Sequence, residues 1–198
     1  VLQPLPHPSP LRRLPLPAWR ERLSAAFQDF ARFEFLLRET VGVGHLPRIE
    51  EAPAVRAALA RAGAADVPAA LPAHMETQLG KAWEGGVELS GGQWQKLALG
   101  RSMMREQPLL VVFDEPTAAL DAPTEHALFE RFAAAARSGQ SAGTVTLLVS
   151  HRFSTVRMAD LIVVLAGGRV VEQGSHAELM IQDGTYAELY RLQSRAYQ

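Results

Sequence analysis

"LSGGQWQKLALGRSMMREQPLLVVFDEP", Leu89 to Pro116, is the stretch that decides the fold. Its first half has helical spacing from Ser90 to about Arg105, and a serine followed by two glycines opens that helix. Pro108 closes the connection, and Leu109 to Phe113 follows as an apolar run with the length and content of a buried parallel strand. The strand ends in two carboxylates, Asp114 and Glu115. Ligands of open α/β sheets bind at the carboxyl ends of the strands, so charges placed there point to chemistry. An aspartate in that position can hold Mg²⁺, and the glutamate beside it can polarise an attacking water. At the helix start, unpaired backbone N–H groups and the helix dipole favour an anion. Glycine permits its close approach, and the Ser90 hydroxyl can donate to one of its oxygens.

Outward from this core, strands alternate with helices, which predicts an α/β sheet with a helical insert. "TVTLLVS" (144–150) reads as a second buried strand, followed by His151 and Arg152. His151 therefore falls at the same sheet edge as the carboxylates, where an imidazole can contact a phosphate or orient a water. "LIVVLAGGRVVEQG" (161–174) reads as a hairpin turning at Gly167 and Gly168, and the chain from Ser175 as helical. Asp121 is the expected N-cap of a helix over Thr124 to Arg137, with Pro123 in its first turn. Toward the N-terminus, the apolar segment Ser24 to Phe27 stops at Gln28, and Arg32 to Thr40 has helical spacing. "VGVGHLP" (41–47) is turn-rich, and residues 50–72 predict two short helices broken by Pro68. Gly42-Val43-Gly44 follows no strand and reads as a turn, and Trp83 and Trp94 are expected to pack the helical insert.

The bulk properties narrow the choices. A chain of 198 residues with 47% hydrophobic content can build a core. Twenty basic and 21 acidic residues leave a net charge of -1, so no nucleic-acid partner is expected. The absence of cysteine excludes disulfides, thiolate zinc sites and thiol catalysis, and fits a reducing compartment. The six histidines lack metal-ligand spacing. The longest apolar runs fall far short of the roughly 20 residues that span a bilayer. Residues 1–17 hold six of the thirteen prolines and have no signal-peptide pattern, so an irregular segment is expected there.

"LSGGQ" (89–93), "LLVVFDEPTAALD" (109–121), "SHR" (150–152) and Gln28 in "AAFQD" stand together in the order found in the nucleotide-binding domain of an ABC transporter. The resemblance runs from about Leu11 to the end of the chain. It implies a P-loop NTPase-like α/β ATPase core over residues 18–198, built from about 18–31 and 106–198, with a helical subdomain at about 32–105. By that resemblance the ligands are ATP and Mg²⁺. Asp114 coordinates Mg²⁺, Glu115 is the general base, and His151 is the switch that senses the γ-phosphate. Gln28 is the Q-loop glutamine linking γ-phosphate and Mg²⁺ to the membrane partner, and Asp121 lies in the D-loop that couples the two sites of a dimer. Ser90, Gly91, Gly92 and Gln93 would contact ATP held by the opposite subunit. "VSHRFSTV" and the ending "GSHAELMIQDGTYAELYRLQ" are similar to exporter-type half-transporters, in which membrane helices precede this domain, and Thr77 to Gly86 resembles the loop that touches them. The implied partners are a second nucleotide-binding domain, identical or different, and a transmembrane domain that places the protein at the cytoplasmic face of the cell membrane.

One part of the pattern is missing. A phosphate-cradling loop has the form G-x-x-x-x-G-K-[ST]. The only lysines are Lys81, which is followed by Ala82 and has no matching upstream glycine, and Lys96, inside the signature helix. The expectation is a C-terminal portion of an exporter's ATPase domain, truncated or frameshifted upstream, that does not hydrolyse ATP by itself. A second reading is a non-catalytic remnant, or a donor of the signature motif in trans to a complete partner. A soluble ABC ATPase of the DNA-repair or translation type fits the near-neutral charge and the exporter-like tail less well.

Overall fold

A computed structural model describes residues 13, 15–116, 127–130 and 143–196. Most of the proline-rich opening, Asp121 and most of the helix expected over Thr124 to Arg137 lie outside the described residues; 127–130 are helical. Helix α1 (Leu16–Glu21) begins inside the segment expected to be irregular, with Pro17 in its first turn, where no N–H is needed.

The stretch from Leu109 to Asp114 becomes the centre of a parallel sheet. Strand β2 (Leu110–Asp114) lies between β1 (Leu23–Ala26) and β3 (Val145–Val149), in register Leu23 with Leu110 and Leu110 with Val145. Val111 and Phe113 face the core, while the alternate residues of β2 are half-buried. All three strands run the same way, so their carboxyl ends meet at one edge, where Asp114 stands.

Against the sheet packs a helical layer: α2 (Leu37–Gly42), a 3₁₀ turn (Val43–Arg48), α3 (Ala52–Arg61), α4 (Asp66–Ala69) and α5 (Gly91–Ser102). Helix α5 buries Trp94, Leu97, Ala98, Leu99 and Gly100 on more than one face, as a helix enclosed by neighbours must. Gly100 is tight against α3, where an added Cβ would lie 3.3 Å from the Leu59 side chain. Leu37, Val41, Val55, Leu59, Leu97 and Leu99 join Val111 and Phe113 in one hydrophobic cluster. Each such side chain contributes about 1.5–3 kcal/mol by leaving water. A smaller cluster of Ile162, Leu179 and Tyr186 holds the C-terminal part. That part comprises the short helix α6 (Phe153–Val156), the antiparallel pair β4 (Ile162–Ala166) and β5 (Arg169–Gly174), and helices α7 (His176–Gln182) and α8 (Thr185–Ala196). The hairpin turns at Gly167 and Gly168, both with positive φ, as a two-residue turn requires.

Four expectations are corrected. The helix expected over Arg32 to Thr40 starts at Leu37, because residues before it are bonded as strand: Leu36 bridges Gln78, Leu37 N–H donates to the Thr77 carbonyl, and Leu79 N–H to that of Phe35. The break in residues 50–72 falls at Gly63 (φ +66), where Ala64 N–H reaches back to the Leu59 carbonyl. Pro68 sits inside α4, in a first turn that tolerates it. Strand β3 is not buried: Val145, Leu147 and Val149 are exposed, since among the described residues β3 pairs only with β2. Trp94 is buried as expected and donates from Nε1 to Glu88, whereas Trp83 is exposed in the loop before the signature.

Candidate functional site

The site begins where β2 stops. Glu115 takes a left-handed conformation (φ +43), uncommon for a residue with a side chain. Two bonds hold it there: its N–H donates to the Val149 carbonyl at 3.0 Å, and its carboxylate meets an imidazole. His151 Nδ1 lies 2.9 Å from Glu115 Oε1, the geometry of an N–H donating to a carboxylate. The backbone turn thus carries the glutamate across to the end of β3, two residues before His151. The imidazole is 66% exposed and the carboxylate 26%, so the pair opens to solvent. Beside it, Ser150 Oγ accepts from Arg152 N–H, and the His151 carbonyl accepts from Gln193 on α8.

Gln28 lies two residues beyond the end of β1. The pairing of Ala26 with Phe113 brings it level with the carboxylate end of β2, and it is exposed. Carboxylate and amide oxygens at one edge form a hard donor set of the kind Mg²⁺ takes, in which one or two protein oxygens are completed by water and phosphate. Asp114 and Gln28 carry oxygens of that kind.

The start of α5 is a second feature, with no hydrogen bond to the Glu115–His151 pair among the described residues. Ser90 and Gln93 cap it reciprocally: Gln93 N–H donates to Ser90 Oγ at 3.2 Å, and Ser90 N–H to Gln93 Oε1 at 2.9 Å. Nothing lies within 4 Å of the position a Gly91 side chain would occupy. The Gly91 side of this turn is therefore open, and a helix N-terminus is where an anion is favoured. Neither lysine approaches the carboxylate edge by contact. Lys96 pairs with Asp66 at 3.3 Å, and Lys81 is exposed.

Comparison with known proteins converges on one family. A family model described as ABC transporter matches residues 7–118. An ATP-dependent lipid A-core flippase of Cupriavidus metallidurans is 40% identical over 185 residues, covering 93% of this chain and 30% of the flippase. A flippase of the same name from Legionella pneumophila (strain Paris) is 38% identical over 184 residues, covering 93% of this chain and 29% of the relative. Among solved structures, a bacterial Atm1-family ABC exporter with ATP bound superposes with a TM-score of 0.75 at 35% identity, covering 88% of this chain and 28% of the exporter. The parallel α/β sheet with its helical layer, matched by that model and that structure, defines the class, an α/β fold of the ABC ATPase type. Within that class, the chain belongs to the ABC transporter family, and its fold is that of an exporter's nucleotide-binding domain. It spans about 30% of the length of the relatives it matches.

Proposed function

We propose that these residues supply the hydrolytic edge and the signature helix of an ATPase domain that drives export across a membrane, working face to face with a second such domain. The observation that carries this reading is the Glu115–His151 hydrogen bond at the sheet edge. Glu115 takes the proton from the water that attacks the γ-phosphate of ATP. As an imidazolium, which donates from both ring nitrogens, His151 meets Glu115 through Nδ1 and a phosphate oxygen through Nε2. Asp114 and Gln28 hold Mg²⁺, which when bound neutralises charge developing on the phosphate oxygens. Ser90, Gly91, Gly92 and Gln93 offer the open helix start to the γ-phosphate of ATP held by the opposite domain, and Asp121 couples the two sites. A transmembrane domain places the ATPase at the cytoplasmic face. The named activity of the flippases and the ATP in the solved exporter support this reading.

A second reading is that the open start of α5 serves as signature donor in trans to a complete second domain. Mg²⁺-dependent ATP turnover separates the two. Turnover by the full-length gene product alone supports the first reading; turnover only on mixing with a complete second domain supports the second.

A further inference from the structure

Between β3 and α6 the chain passes through Ser150, His151 and Arg152 without regular structure. Such a segment takes its conformation from whatever satisfies its backbone groups. One distant side chain holds two of those that flank and include the histidine. Gln193, near the end of α8, donates from Nε2 to the His151 carbonyl at 3.0 Å and accepts at Oε1 from Phe153 N–H at 2.9 Å. A primary amide carries a donor and an acceptor side by side, so it can bridge a carbonyl and an N–H two residues apart; a carboxylate could serve only the N–H.

The helix that carries Gln193 has anchors besides the bridge. The Phe153 ring meets Tyr186 and Tyr190 edge-on at 5.3 and 5.6 Å, and His176 Nδ1 lies 2.8 Å from the Tyr186 hydroxyl. At its start, the Glu172 carboxylate accepts from the N–H groups of Thr185 and Tyr186. The amide is therefore presented from a packed body, whereas the imidazole it steadies is mostly exposed. The 2.9 Å contact with Glu115 holds the ring only while the backbone that carries it keeps its place.

We propose that Gln193 is a positioning residue of the hydrolytic site: by bridging the His151 carbonyl and the Phe153 N–H, it fixes the segment that brings the imidazole to Glu115. Its consequence for turnover rests on the ATPase reading above; the bridge itself does not. Gln193 acts through His151 and touches no reacting atom.

The test compares Gln193→Leu, Gln193→Glu and, as a control on the same helix, Leu192→Ala at an exposed position, all in the full-length gene product. Amide hydrogen exchange of residues 150–156 is measured beside steady-state ATP kinetics. Gln193→Leu is expected to speed exchange at 150–156 while the rest of α8 stays protected. It should lower kcat about tenfold, the scale of one lost positioning contact, with KM for ATP within about twofold. Gln193→Glu, which keeps the acceptor for Phe153 N–H, should recover part of both, and Leu192→Ala should change neither. Unchanged exchange at 150–156 in Gln193→Leu overturns the bridge. Faster exchange with unchanged kcat overturns its role in positioning, and so does loss of protection along the whole of α8. If the unsubstituted protein turns over no ATP, the ATPase reading and the catalytic consequence fail together, and the exchange result still decides whether Gln193 holds the segment.

Discussion

At the scale of residues, position in the chain and position in the site coincide for some groups and diverge for others. Asp114, Glu115 and His151 were legible because an apolar strand that ends in a charged or polar side chain presents it at the sheet edge, and parallel pairing of β2 with β3 then brings two such ends together. The left-handed turn at Glu115, which delivers the carboxylate to the imidazole, has no mark of its own in the sequence. Gln193 was illegible for a related reason: its partners are backbone groups some forty residues away, and backbone groups have no sequence identity. Arg101 shows the same limit inside the helical layer. It donates to the carbonyls of Thr40 and Ala31 and lies 4.2 Å over the Phe33 ring, and burial draws its pKa down to about 10, still charged at neutral pH. Arg101→Ala removes those bonds and leaves the carbonyls to find water, so it should destabilise the fold by about 2 kcal/mol or more. Chemical denaturation of the variant checks this, and an unchanged midpoint would mean that the arginine is incidental to the packing.

At the scale of elements, hydrophobic period and turn chemistry located the central strand, the signature helix, the hairpin and the C-terminal helices. They failed where tertiary bonds overrode local preference. Residues 32–36 have helical spacing, yet Leu36 bridges Gln78, whose amide also donates to the Glu34 carbonyl, and the helix begins only at Leu37. Gly44 reads as a turn glycine, whereas its real constraint is a close approach: an added Cβ would lie 2.0 Å from the Arg101 carbonyl oxygen. The start of α8 depends on a similar close approach. Gly184 leaves room for the Glu172 carboxylate, which accepts from two helix N–H groups, with the Tyr186 N–H bond as the main cause holding its pKa below the usual carboxylate range. A lowered folded pKa stabilises above the unfolded value of about 4.3 and is lost as pH falls through the folded value. Exchange protection of α8 should therefore be full near neutrality and decline on acidification below the ordinary glutamate range. Glu172→Gln should weaken the start of α8 at neutral pH and flatten that acid dependence. An acid profile identical in the variant would show that the cap does not govern this helix.

At the scale of the whole molecule, the sheet is unequal on its two sides. The helical layer covers Val111 and Phe113, while β3 leaves Val145, Leu147 and Val149 exposed, and Leu165, Val170 and Val171 of the hairpin are exposed as well. Among the described residues β3 pairs only with β2, and an apolar strand edge with open backbone groups is a template for association. The 198-residue chain expressed alone should therefore self-associate at micromolar concentration, and Leu147→Lys should reduce that association in light scattering. A monodisperse parent chain would contradict the prediction. The sequence carried the class of fold through motif order and spacing. It did not carry this exposure, because a strand's content does not say which faces its neighbours cover. The chemistry at the carboxylate edge is read by Mg²⁺-dependent ATP hydrolysis of the full-length gene product against its Glu115→Gln variant. Turnover is expected in the parent, with a fall of at least about 100-fold in the variant, the usual reach of a general base, and ATP binding retained. Equal turnover in the two proteins would contradict it.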